Sequence, residues 1–109
     1  MKLIIAVVQD QDVQKANAAL ISAGFRTTRL ASSGGFLRSG STTMLVGVED
    51  EQVSTACDIL KSVCQSRTKM VTPMTPMAGS VDSFIPFPVE VVVGGVNLFV
   101  VNIESYERA

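Results

Sequence analysis

The sequence predicts an α+β domain of ferredoxin-like build, in the order β-α-β-β-α-β. Two helices lie on one face of an antiparallel sheet, with a long loop and a hairpin before the last strand. Three observations predict it. A short continuous apolar run opens the chain at Leu3 to Val8, two stretches carry apolar residues at helical spacing, and valine-rich segments close the chain. At 109 residues there is material for one core, and so for a single domain spanning 1–109.

Leu3 to Val8 is bounded by the polar run Gln9-Asp10-Gln11-Asp12 and suits a central strand, with Asp10 or Asp12 placed to cap the helix that follows. Val13, Ala16, Leu20 and Ala23 make one apolar helix face, and Gly24 stands where a helix end needs a residue that tolerates positive φ. Phe25 to Ser32 alternates with Arg26, Thr28 and Leu30 on one side, so this strand carries polar groups into the sheet. Thr43 to Val48 is the next strand. Asp50 then caps a helix whose face is Val53, Ala56, Cys57, Leu60, Val63 and Cys64.

From Gln65 to Pro88 no period survives, and the chain's four prolines fall there. A loop of that length tends to be functional. Val89 to Val93, Gly94-Gly95 and Val96 to Ile103 then read as a hairpin turning on two glycines. The far face of such a sheet is bare, and packing against further copies would cover it, with Arg26 and Thr28 near the subunit boundaries.

Composition narrows the function. Hydrophobic residues make up 47% of the chain against 17% charged, which is much apolar surface for a small body to hide and favours an oligomer. A formal net charge of −1 without a basic block disfavours nucleic-acid polymers and anionic membranes as partners. The opening apolar run is too short for a signal peptide or a membrane span, so the protein is expected in the cytoplasm. Cys57 and Cys64 lie two helical turns apart, about 10 Å along one face, too far for a disulfide, and read as structural thiols.

Ser33 to Thr42, SGGFLRSGST, is the most informative loop. Its glycine spacing resembles a phosphate-binding P-loop, but serine stands in place of the lysine and a strand rather than a helix follows, which argues against that chemistry. A purine can stack on Phe36 and rest against Leu37 while Gly34 and Gly35 admit its approach and Arg26 or Arg38 reaches phosphate. Equally, Phe36 and Leu37 can pack on a neighbouring subunit. Met74, Met77, Phe84 and Phe87 in the long loop suit either an adaptable lid or ordinary packing. With no histidine in the chain, no catalytic or metal constellation stands out, and Glu49, Asp50 and Glu51 read as residues favouring a helix N-terminus.

MKLIIAVVQDQD, FRTTRLASSGGFLRSGSTT, TPMTPMAGSVDSFIPFPVEVVVGG and the strand around Phe99 together resemble the cyclic di-AMP receptors of Gram-positive bacteria, a branch of the PII-like signal proteins. The resemblance implies a homotrimer of PII-like subunits without catalysis or cofactor. Cyclic di-AMP would bind in clefts between neighbours, and a changed loop would be read by a downstream protein. It assigns Arg26 and Thr28 to ribose and phosphate, Gly35, Phe36 and Leu37 to an adenine, and Gly47 and Phe99 to the cleft lining. Phe99 serves only where the final strand meets a neighbour's loop. Ser41 occupies a position where the family usually has asparagine; its hydroxyl can bond one edge atom of adenine but lacks the paired donor and acceptor of an amide. Gly24 and Arg108 likewise replace polar residues that many members use. Two alternatives stand beside this reading: a small nucleotide-processing enzyme on the same scaffold, and a structural trimer that only docks proteins.

Overall fold

The computed structural model describes residues 1–30, 40–71 and 88–109. Its elements run β1 (Lys2–Gln9), α1 (Asp10–Ser22), β2 (Thr27–Leu30), β3 (Ser41–Val48), a 3-10 turn (Asp50–Gln52), α2 (Val53–Val63), β4 (Arg67–Val71), β5 (Val89–Val93) and β6 (Val96–Asn102). The main sheet has four antiparallel strands in the order β2-β3-β1-β6, and β4 and β5 form a separate antiparallel ribbon.

The apolar run at Leu3 to Val8 is central, as its composition requires, because β3 and β6 flank it. Only alternate residues are buried, however: Ile4, Ala6 and Val8 face the helices and join Met44, Val46 and Val48 of β3 in the core. The helices close that core with Val13, Ala16 and Leu20 from α1 and Ala56 and Leu60 from α2, together with Cys64 just past its end. Each large side chain so buried contributes about 1.5–3 kcal/mol relative to exposure. Gly24, at φ +91°, ends α1 as expected, its N–H donating to the Ile21 carbonyl.

Several local expectations are corrected. Neither Asp10 nor Asp12 caps α1; Gln9 holds the cap position, and both aspartates sit in the first helical turn, where the helix dipole favours them. Asp50 does not cap α2 either. Glu49 leads the 3-10 turn, its N–H donating to Gln52 Oε1 at 3.0 Å, while Asp50 accepts from the Met1 amino group at 3.1 Å. That amino group holds the Asp50 carboxyl below its ordinary range, first through the hydrogen bond and then through its charge.

The stretch beginning at Gln65 is not structureless throughout, since Arg67–Val71 is a strand. β5 pairs with β4 rather than with β6, whose own partner is β1. Gly94 and Gly95, at φ +84° and +91°, therefore carry the chain from one sheet to the other instead of turning a hairpin. The proposed lid residues Met74, Met77, Phe84 and Phe87 lie outside the described residues.

Candidate functional site

Cross-strand register divides the main sheet cleanly into two faces, because directly opposed residues in antiparallel strands point the same way. Leu3, Ile5, Val7, Leu45, Gly47, Phe99 and Val101 lie on the face away from the helices. One row across it reads Thr28, Leu45, Ile5, Phe99. Leu3, Ile5 and Leu45 are half-buried and Phe99 is 56% exposed, so this face is an apolar floor that no described helix covers.

Along β3, Ser41, Thr43, Leu45 and Gly47 share this face. Thr28 stands beside Leu45 on β2, and the pairing of Thr27 with Val46 brings Arg26, which immediately precedes β2, to the Gly47 end of β3. Arg26 and Thr28 are exposed. A guanidinium and a hydroxyl thus flank an apolar floor, which is chemistry suited to a phosphate or sugar beside a base. Ser41 opens β3 opposite Gln9. Six residues at about 3.4 Å each put Ser41 roughly 20 Å from Gly47, a span no single base bridges.

Gly47 is conspicuous for what does not require it. Its φ is not in the left-handed region, and a Cβ built there meets no described atom within 4 Å. A glycine inside a strand weakens it by roughly 0.5–1 kcal/mol relative to alanine, and is retained where another backbone or a ligand approaches closely.

Phe99 belongs to the opposite edge of the sheet. Three interstrand steps of about 4.8 Å separate it from Thr28, roughly 14 Å in all, so one subunit does not bring these two side chains together. Gly35, Phe36 and Leu37, with Arg38, lie outside the described residues.

Residue-by-residue reading missed Thr43. Its residue is 6% exposed, and its Oγ1 is buried without a hydrogen-bond partner among the described residues. An orphaned hydroxyl of that kind costs about 1–3 kcal/mol. A threonine in a strand matches ordinary β propensity, so nothing local in the sequence marks it. Among the described residues no three of His, Cys, Asp and Glu group as metal ligands. Both cysteines are free, and burial pushes the Cys64 thiol up to about 11, which keeps it protonated and unreactive at neutral pH. No described helix is long and apolar enough to cross a membrane.

This arrangement has recognisable counterparts. The family model described as "Cyclic-di-AMP receptor" matches residues 1–109, the whole chain. Among solved structures, a crystal structure of a functionally unknown protein from Pediococcus pentosaceus is similar at 34% identity and a TM-score of 0.77, with 99% of this chain and 96% of that one covered.

Proposed function

From the premise that the chain belongs to the cyclic di-AMP receptor family, we propose that it is a cytoplasmic signal protein of PII-like type. It binds cyclic di-AMP on the bare sheet face beside β2 and β3, in a cleft completed by β6 of a neighbouring copy in a homotrimer. Arg26 and Thr28 engage phosphate and ribose, Gly35, Phe36 and Leu37 wall one adenine, and Ser41 bonds an edge atom. Gly47 and the neighbour's Phe99 line the remainder. Binding alters a loop surface that a partner protein reads.

The observation that carries this reading is Gly47, a strand glycine for which the described residues of its own subunit give no packing reason. The separation of Thr28 from Phe99 on opposite sheet edges supports a shared site, because an edge-to-edge neighbour would bring the two together.

Calorimetric titration with cyclic di-AMP tests it. The expected result is saturable, equimolar binding per subunit, strongly weakened by Arg26→Ala while sedimentation shows an unchanged trimer. Absence of heat and of any thermal shift with cyclic di-AMP, where other nucleotides do bind, overturns the proposal. A trimer that falls apart in Arg26→Ala would make that residue structural.

A further inference from the structure

The turn from β1 into α1 is bonded on two sides. Toward β3, the Asp10 N–H donates to the Gly40 carbonyl at 2.8 Å, and Thr42 Oγ1 donates to Asp10 Oδ1 at 2.6 Å. Toward the β4–β5 ribbon, the Gly94 N–H donates to Gln9 Oε1 at 2.7 Å, and Gln11 Nε2 donates to the same oxygen at 2.8 Å. Arg67 Nη2 and Nη1 donate to the two oxygens of Asp12 at 2.8 and 3.3 Å, and Nη1 also donates to the Gln65 carbonyl at 3.1 Å. Four consecutive residues, Gln9 to Asp12, therefore hold the first residues of one strand and the base of a separate ribbon.

The ribbon side is a part-buried ion pair, with the Arg67 side chain 42% exposed. The Asp12 side chain is 1% exposed, and the carboxylate in turn raises the Arg67 pKa above its ordinary value, chiefly through the hydrogen bond. A buried carboxylate stripped of its partner is strongly unfavourable, so Arg67 does not leave cheaply. Gly94 closes the joint: a Cβ there would lie 2.5 Å from Arg67 Nη1 and 2.6 Å from the Gln65 oxygen. The next residue's N–H, that of Gly95, donates to the Cys64 carbonyl at the end of α2. Asp10 and Asp12 share the first turn of α1, so a displacement at one is passed through helical backbone to the other.

We propose that this turn is a coupling element: order at the start of β3, where Ser41 stands, and order in the β4–β5 ribbon are linked through Asp10 and Asp12. Because the ligand reading places Ser41 at the nucleotide, the same link would make ribbon order respond to cyclic di-AMP, with the latched state favouring the ligand by holding Ser41 in the β1–β3 ladder. That second step rests on the proposed function; the link itself does not.

Hydrogen exchange on the ligand-free full chain separates the two. Thr42→Val keeps a β-branched residue in the strand and removes only the hydroxyl donated to Asp10. It should speed exchange of ribbon amides in 67–71 and 89–93 by about fivefold or more, although the hydroxyl removed bonds Asp10 and not the ribbon. Asp12→Asn, folded as judged by circular dichroism, should do the converse and speed exchange at Asp10 and Thr42. Ribbon exchange unchanged in Thr42→Val, with faster exchange confined to residues 10 and 40–42, overturns the coupling. Where the link holds, Asp12→Asn should also weaken cyclic di-AMP binding by about fivefold or more. Loss of cyclic di-AMP binding in the unaltered protein would refute the functional reading and leave the ligand-free exchange result to decide the link.

Discussion

Gly94 follows a strand and Gly47 lies inside one, yet the described residues explain only the first of these glycines. At Gly94 the backbone is left-handed and any side chain would collide with Arg67 and Gln65. At Gly47 the backbone is ordinary and no described atom lies within 4 Å of where a Cβ would stand. The difference teaches how to sort the features of so small a protein. What its own packing demands is architecture, and what its packing leaves unexplained on the bare sheet face points outward, to a ligand or another copy.

Breaking the architectural side should have the largest effect. Gly94→Ala combines left-handed strain with overpacking and should cost at least about 2 kcal/mol in urea denaturation followed by circular dichroism. A stability equal to the unaltered chain would mean that Arg67 moves aside freely and that the joint with Asp12 is soft.

Thr43 sharpens the outward side. Thr43→Val removes a buried hydroxyl without a described partner and keeps the shape, so the isolated subunit should gain up to about 1 kcal/mol. A loss of similar size would show that the hydroxyl finds a partner beyond the described residues of its own subunit.

Cys64 acts only at alkaline pH and belongs with the architecture. Its folded pKa of about 11 lies above the ordinary 9.0, so in that window the folded state keeps a proton that the unfolded chain has released. The stability tied to this thiol is therefore complete below about pH 9 and is lost as pH rises toward 11. Cys64→Ala should flatten that part of the pH–stability curve, and at pH 8 Cys57 should be alkylated ahead of Cys64. Equal labelling rates would contradict the burial that separates them.

Burial made parts of the fold legible. The run at Leu3 to Val8, the faces of α1 and α2 and the stop at Gly24 all follow from periodic apolar residues or from backbone sterics. β4 escaped because Arg67, Thr68, Lys69 and Met70 are exposed, and a run of exposed residues writes no burial period into the sequence. The glycine pair misled for a related reason: valines flanking two glycines look alike when the strands fold back on each other and when they part to different sheets. For the site, Arg26 and Thr28 stood out as polar residues of a sheet strand, Gly47 and Phe99 came from family resemblance alone, and the register then set Thr28 and Phe99 on opposite edges. Asp12 was read as a helix-start carboxylate because its partner, Arg67, is 55 residues away in sequence.

The most direct test of the outward reading of the bare face is Gly47→Ala, measured for stability and for cyclic di-AMP binding in the same preparation. The predicted result is unchanged or slightly raised stability, by up to about 1 kcal/mol from the loss of glycine's freedom in the unfolded chain, together with binding weakened about tenfold or more. Unchanged affinity in a folded Gly47→Ala protein would contradict the account, because Gly47 would then face neither the ligand nor anything that shapes its site.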